Sequence, residues 1–113
     1  MYLASRLLLG LLFLGGAAQK AIDPAPVQML LGLAGLPSAL VWPALAFNLI
    51  AGVCLLTGPH VRLWAVLLAL YCIATSFFHL LLPDAWQVTI FVKNWAIAGG
   101  LLAVAEVERL RQA

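Results

Sequence analysis

Between Arg62 and Pro83 the chain carries no charged side chain, and as a helix the run Leu63 to Leu82 is long enough to cross the roughly 30 Å hydrocarbon core of a bilayer. Three other stretches have the same character: about 2–20, which begins near Arg6 and ends at Lys20; about 38–57, closed by Gly58-Pro59; and about 86–105. Four such spans are more apolar surface than a soluble domain of this length can hide. The chain is 65% hydrophobic and only 9% charged over 113 residues, where a soluble domain carries about 25% charge. The first span is expected to be a retained helix and not a secretory signal peptide, because three further spans need no separate signal.

Proline and glycine punctuate the spans. Asp23-Pro24-Ala25-Pro26 stops the first helix, since proline lacks the amide donor and the residue before it avoids helical angles. Residues Val27 to Leu36 then read as an apolar helix too short to span, which lies at the interface or re-enters the bundle and covers one end. The expected fold class is therefore an all-α membrane protein. It is a single domain over 1–113, a four-transmembrane-helix bundle with a short interfacial or re-entrant helix between helices 1 and 2.

Orientation follows from the basic residues flanking the spans. Arg6, Arg62, Arg109 and Arg111 fall at one end, while the other has only Lys20 close to a span end, so both termini are expected in the cytoplasm and the chain in the cell inner (plasma) membrane. These residues are topology determinants beside apolar runs and no nucleic-acid footprint. Trp42, Trp64 and Trp86 near span ends fit an interfacial belt.

The depth of each embedded polar residue can be counted along its helix. Lys93 is seven residues past Trp86, about 10 Å below the outer boundary, with Asn94 next to it. His79 lies near the outer end of the third span, with Thr75 and Ser76 one turn deeper on its face. Asn48 is ten residues past Ser38, about 15 Å down, and Gln19 and Lys20 end the first span on the same side. The spans thus bring their polar groups to the outer half of the bilayer. A lysine in a span costs about 2.5–3.5 kcal/mol unless it snorkels out or faces water, a partner or a ligand. An outward-opening polar pocket is expected, with Lys93, Asn94, His79, Asn48, Lys20 and Ser76 as ligand-binding candidates.

The types of residue limit the chemistry. No Asp or Glu lies inside a span, which excludes a cation/proton exchanger built on a membrane carboxylate. Cys54 and Cys72 have no CxxC or zinc-type spacing, and a disulfide relay needs a vicinal pair. A cationic pocket suits an anionic or carbonyl-bearing ligand such as a quinone head group, a sulfur oxyanion or a lipid phosphate. Plainer roles stand beside these: Lys93 snorkelling to head groups or Asp84, Asn48 and Asn94 as interhelical hydrogen bonds, His79 as a solvated side chain, Lys20 as an anchor.

Arg6-Leu7-Leu8-Leu9-Gly10-Leu11-Leu12-Phe13, Gln19-Lys20, Gly52-Val53-Cys54-Leu55-Leu56-Thr57-Gly58 and Phe91-Val92-Lys93-Asn94 with Gly99-Gly100-Leu101-Leu102 occur in an order and spacing that resembles the DoxX family of small four-helix membrane proteins. The resemblance runs from Arg6 to about Leu102. It departs from the family at Asn48, where a glutamate is often found, so the carboxylate of a proton-coupled role is missing here. DoxX-like proteins include subunits associated with thiosulfate:quinone oxidoreduction and with membrane complexes handling thiol stress, and distant relatives act in assembling other membrane proteins. The resemblance implies a component of a membrane redox system that binds a quinone or anionic small molecule, with a redox partner protein supplying electrons. The alternatives are a non-catalytic scaffold or assembly factor and a small-solute transporter; a homo-oligomer is compatible with each.

Overall fold

A computed structural model describes residues 1–81 and 84–112. Leu82 and Pro83, where the third span was expected to end and turn, lie outside the described residues. Five α-helices follow one another: α1 (Tyr2–Ile22), α2 (Ala25–Leu33), α3 (Val41–Thr57), α4 (Val61–Ser76) and α5 (Ala85–Gln112), with short 3-10 turns at Ser38–Leu40 and Phe77–Leu81. Four helical segments are long and apolar enough to cross a membrane, as the sequence predicts, and α2 is the short helix between the first two.

Local chemistry sets each boundary. The Asp23 amide closes α1 by donating to the Gln19 carbonyl at 2.8 Å, and Asp23 Oδ1 accepts the Ala25 amide at 3.3 Å, so the chain reverses into α2 within two residues. Gly35, at φ +77°, ends α2, and the Leu36 amide reaches back to the Leu31 carbonyl at 2.9 Å. Gly58 ends α3 at φ +106°, a left-handed conformation that glycine adopts without steric cost. Asp84 Oδ1 accepts the Trp86 amide at 3.0 Å and so caps α5.

Two elements have other bounds than expected: α2 covers Ala25–Leu33 in place of Val27 to Leu36, and the third span changes character near its end. The α-helical part of the third span stops at Ser76 and continues as a 3-10 turn to Leu81. Thr75 Oγ1 bonds back to the Tyr71 carbonyl at 2.7 Å and Ser76 Oγ to the Ile73 carbonyl at 2.6 Å, the back-bonding that disturbs a regular helical ladder. At the other end α5 runs on to Gln112, because the tail continues the same helix with Arg109–Glu106 and Arg111–Glu108 pairs three residues apart.

Alternating helix directions place both termini and the Gly58–His60 turn at one end of the molecule, here called the basic end. The α1–α2 elbow and the start of α5 mark the far end. Helices α1 and α3 pack closely together, as do α4 and α5. The buried core of Ala51, Leu55, Val61, Leu68, Leu101 and Val104 fills the half toward the basic end. On α4 the buried positions Val61, Ala65, Leu68, Ala69, Cys72 and Ser76 recur at helical spacing and form one contact stripe. The remaining apolar surface, including Leu8, Leu63, Leu70 and Val92, faces outward along the spans, where lipid covers it.

Side chains of α1 and α5 close the basic end. Arg6 Nε donates to the Leu55 carbonyl at 2.9 Å and Nη2 to that of Leu56 at 3.5 Å, satisfying carbonyls that the end of α3 leaves free. Tyr2 donates its hydroxyl to Glu108, and the Arg111 guanidinium lies 4.5 Å from the centre of the Tyr2 ring.

Candidate functional site

The far half of the bundle is hollow. A cavity of about 700 Å³ lies there, within the size range of small-molecule sites. Lys20, Asn48, His79, Lys93 and Asn94 line it, contributed by α1, α3, the turn after α4, and α5. Of the six sequence candidates only Ser76 stays outside: it is wholly buried on the α4 contact stripe, its hydroxyl engaged by the Ile73 carbonyl. Gln19, Tyr71, Cys72 and Thr75 also line the cavity.

Lys20 takes a position that its place near a span end did not announce. A β-carbon placed on Gly16 would stand 3.9 Å from Lys20 Nζ and 3.8 Å from Asn48 Nδ2. The ammonium is therefore folded back one helical turn toward the middle of the bundle, over a residue with no side chain, and away from the head groups. Side chains on a helix tilt toward its N-terminus. Since α1 and α5 run in opposite directions, this tilt carries Lys20 downward from the far end and Lys93 upward toward it.

Neither lysine has an ion-pair or hydrogen-bond partner among the described residues, and no carboxylate lines the cavity. Lys20 also lines a smaller recess at the α1–α2 elbow together with Asp23 and Pro26, and this recess shares Gly16, Gln19, Lys20 and Val27 with the main cavity. Asn48 is 2% exposed, and its Oδ1 has no hydrogen-bond partner among the described residues. An unpaired buried acceptor costs about 1–3 kcal/mol, so no bond between helices accounts for this oxygen, whichever neighbour the amide nitrogen meets.

His79 is held in place. Its Nδ1 is hydrogen-bonded to Gln87 Oε1 at 2.7 Å, which ties the 3-10 turn to the first turns of α5. Sequence reasoning missed Gln87, and it missed Tyr71 and Cys72 in the lining; spacing could have found the last two, since 71, 75 and 79 recur every four residues and 72 lies three before 75.

The remaining lining is apolar. Val27, Leu30 and Leu31 of α2 form the roof, and Leu30 and Leu31 are buried by doing so. Deeper toward the middle of the bilayer stand Leu11, Leu12, Phe13 and Ile97. The donor set of two ammonium groups and amide nitrogens fits an oxygen-bearing head group, a quinone carbonyl included, set against an apolar floor. No group of three or more His, Cys, Asp or Glu side chains stands close enough to hold a metal ion among the described residues.

Four apolar spans around a polar-lined cavity define a small multi-pass helical membrane protein. The family model for DoxX matches residues 1–81, and the chain belongs to the DoxX family. That stretch contains Lys20, Asn48 and His79, while Lys93 and Asn94 lie beyond it. No curated protein and no solved structure matches the chain.

Proposed function

We propose that this protein binds a quinone or an anionic small molecule in the far-half cavity, as a component of a membrane redox system. One observation carries the reading: two lysines with no ion-pair or hydrogen-bond partner among the described residues, on neighbouring antiparallel helices, line a cavity whose described lining includes no carboxylate. Unpaired ammonium groups within the bilayer are costly to maintain, and a ligand oxygen between them offsets that cost. Lys93 and Lys20 orient or neutralise the ligand oxygen, the amides of Asn48 and Asn94 donate to it, and His79 exchanges a proton at the far end. The redox setting rests on what DoxX relatives do, and electrons come from a partner protein, since the residues in the cavity offer no carrier of their own.

Native mass spectrometry of protein extracted in mild detergent, wild type beside Lys93→Met, tests the reading. A quinone, anion or specific lipid retained by the wild type and lost from the variant is the expected result. Equal retention by both forms, or none by either while both stay folded, rejects it and assigns Lys93 a structural place at the lipid boundary.

A further inference from the structure

The cavity's four walls are not equally sealed. Between α1 and α3 the backbones touch at Gly10 and Gly52, and farther along Gly16 meets Asn48. Between α3 and α4, Phe47 packs at a tilt against Tyr71 with ring centres 5.3 Å apart and against Trp64 at 6.2 Å. Between α4 and α5 the seam is closed by Phe77, which sits 5.8 Å from Phe91 and 6.3 Å from Trp95. The fourth seam, α1 against α5, is fastened at the basic end by Tyr2 and Glu108. In the far half no hydrogen bond or aromatic contact joins α1 to α5 among the described residues, although both line the cavity there. On α1 the cavity lining runs out to exposed positions: Leu11 is 57% and Leu12 42% exposed, and a β-carbon on Gly15, also in the lining, would meet nothing within 4 Å.

The polarity of the gap changes with depth. Lys20 and Gln19 stand within about one turn of the far end of α1, whereas Leu11 and Leu12 are about 16 Å below it, near the middle of the bilayer. Lipids lie in a membrane with this same polarity, head outward and tail toward the midplane. Above the gap, the apolar α2 covers the cavity toward the aqueous side.

We infer that the ligand is a chain-bearing amphiphile that enters sideways from the bilayer between α1 and α5, seating its oxygen-bearing head between Lys20 and Lys93 and its tail along Leu11, Leu12 and Ile97. The inference rests on the cavity being a ligand site, as proposed above, and adds the ligand's class and its route. A free anion entering through the elbow recess beside Asp23 is the rival route.

The test uses the full chain in lipid nanodiscs and four probes: a decyl-tailed benzoquinone, dodecyl phosphate, and the tail-less counterparts methylbenzoquinone and inorganic phosphate. The wild type is expected to bind one of the tailed probes at least tenfold more tightly than its counterpart, and which one identifies the head group. Gly15→Trp and Leu12→Trp each place an indole in the gap and are expected to slow association of that probe at least tenfold. Gly99→Trp, on an exposed and open face of α5 outside the cavity, leaves the rate unchanged. Either gap variant that keeps the wild-type melting temperature serves if the other misfolds. Tail-independent binding, or unchanged association in a folded gap variant, overturns sideways entry and leaves the ligand site standing. No binding of any probe by the wild type overturns both.

Discussion

Arg6 and Asn48 are polar residues within apolar helices, and the structure adds a partner to the first and withholds one from an oxygen of the second. Counting from the charge pattern, Arg6 is a topology determinant; in the structure it also reaches across to the carbonyls of Leu55 and Leu56 and holds the end of α3. Arg6→Met is expected to lower the unfolding midpoint in detergent by the equivalent of about 1.5–3 kcal/mol, the range for hydrogen bonds to a charged group. An unchanged midpoint would mean that water replaces the guanidinium there. Asn48 predicts the opposite sign. Its Oδ1 is buried without a partner, so Asn48→Leu is expected to keep or raise stability by up to about 1–3 kcal/mol while reducing ligand retention. Loss of stability on that substitution would instead make Asn48 a structural bond. Depth was legible for Lys93, His79, Asn48 and Lys20 because 1.5 Å per residue fixes the height of a side chain once the spans are known. Direction was not. Ser76 has the right height but is buried outside the cavity lining with its hydroxyl on the Ile73 carbonyl, and Lys20 turns inward where Gly16 leaves room beneath it.

At the scale of elements, the α1–α3 pair depends on two glycines that face each other. A β-carbon on Gly10 would stand 3.1 Å from the Gly52 carbonyl oxygen and 3.0 Å from Leu56, and one on Gly52 would stand 3.1 Å from the Gly10 oxygen and 3.0 Å from Leu14. The contact is reciprocal, so a side chain at either position pushes the helices apart at one crossing point. Gly10→Val or Gly52→Val is expected to cost about 1–3 kcal/mol, the usual penalty of overpacking. Gly99→Ala, whose β-carbon meets nothing within 4 Å, is expected to be neutral or to gain up to about 1 kcal/mol from helix propensity. Reversible unfolding of the three variants in one detergent compares them; equal effects would show that the crossing yields freely. From sequence, Gly10, Gly15, Gly16, Gly52, Gly99 and Gly100 are all places where helix backbones can approach closely, but not all of them take part. Gly10 and Gly52 do, while Gly15, Gly99 and Gly100 face open space, because the sequence contains helix faces but not the angles at which helices cross. The short helix α2 was legible from its length and its flanking prolines and glycine, and its place as the roof follows from having one apolar side to bury.

Across the whole molecule, a packed half is joined to a hollow one. The half toward the basic end holds the core of Ala51, Leu55, Leu68 and Leu101, and its helix ends are tied by Arg6, Tyr2, Glu108 and Arg111. The far half has the cavity, the roof α2 and a gap toward lipid. Stability should divide in the same way, since local opening is governed by the packing and hydrogen bonding of each part. Backbone hydrogen exchange in nanodiscs is therefore expected to be slowest in α4 from Val61 to Cys72 and in α5 from Ala98 to Ala105, and fastest in α2 and the Phe77–Leu81 turn. Tyr2→Phe removes the hydroxyl that joins α1 to α5 at the basic end. It should speed exchange in the last turns of α5, after Ala105, and leave α2 at its wild-type rate. If α2 accelerates as well, the clasp at one end controls the roof at the other and the molecule opens as one unit. If α2 is unaffected, the far half moves on a fixed base, and the cavity can admit a ligand without loosening the core that positions its lysines.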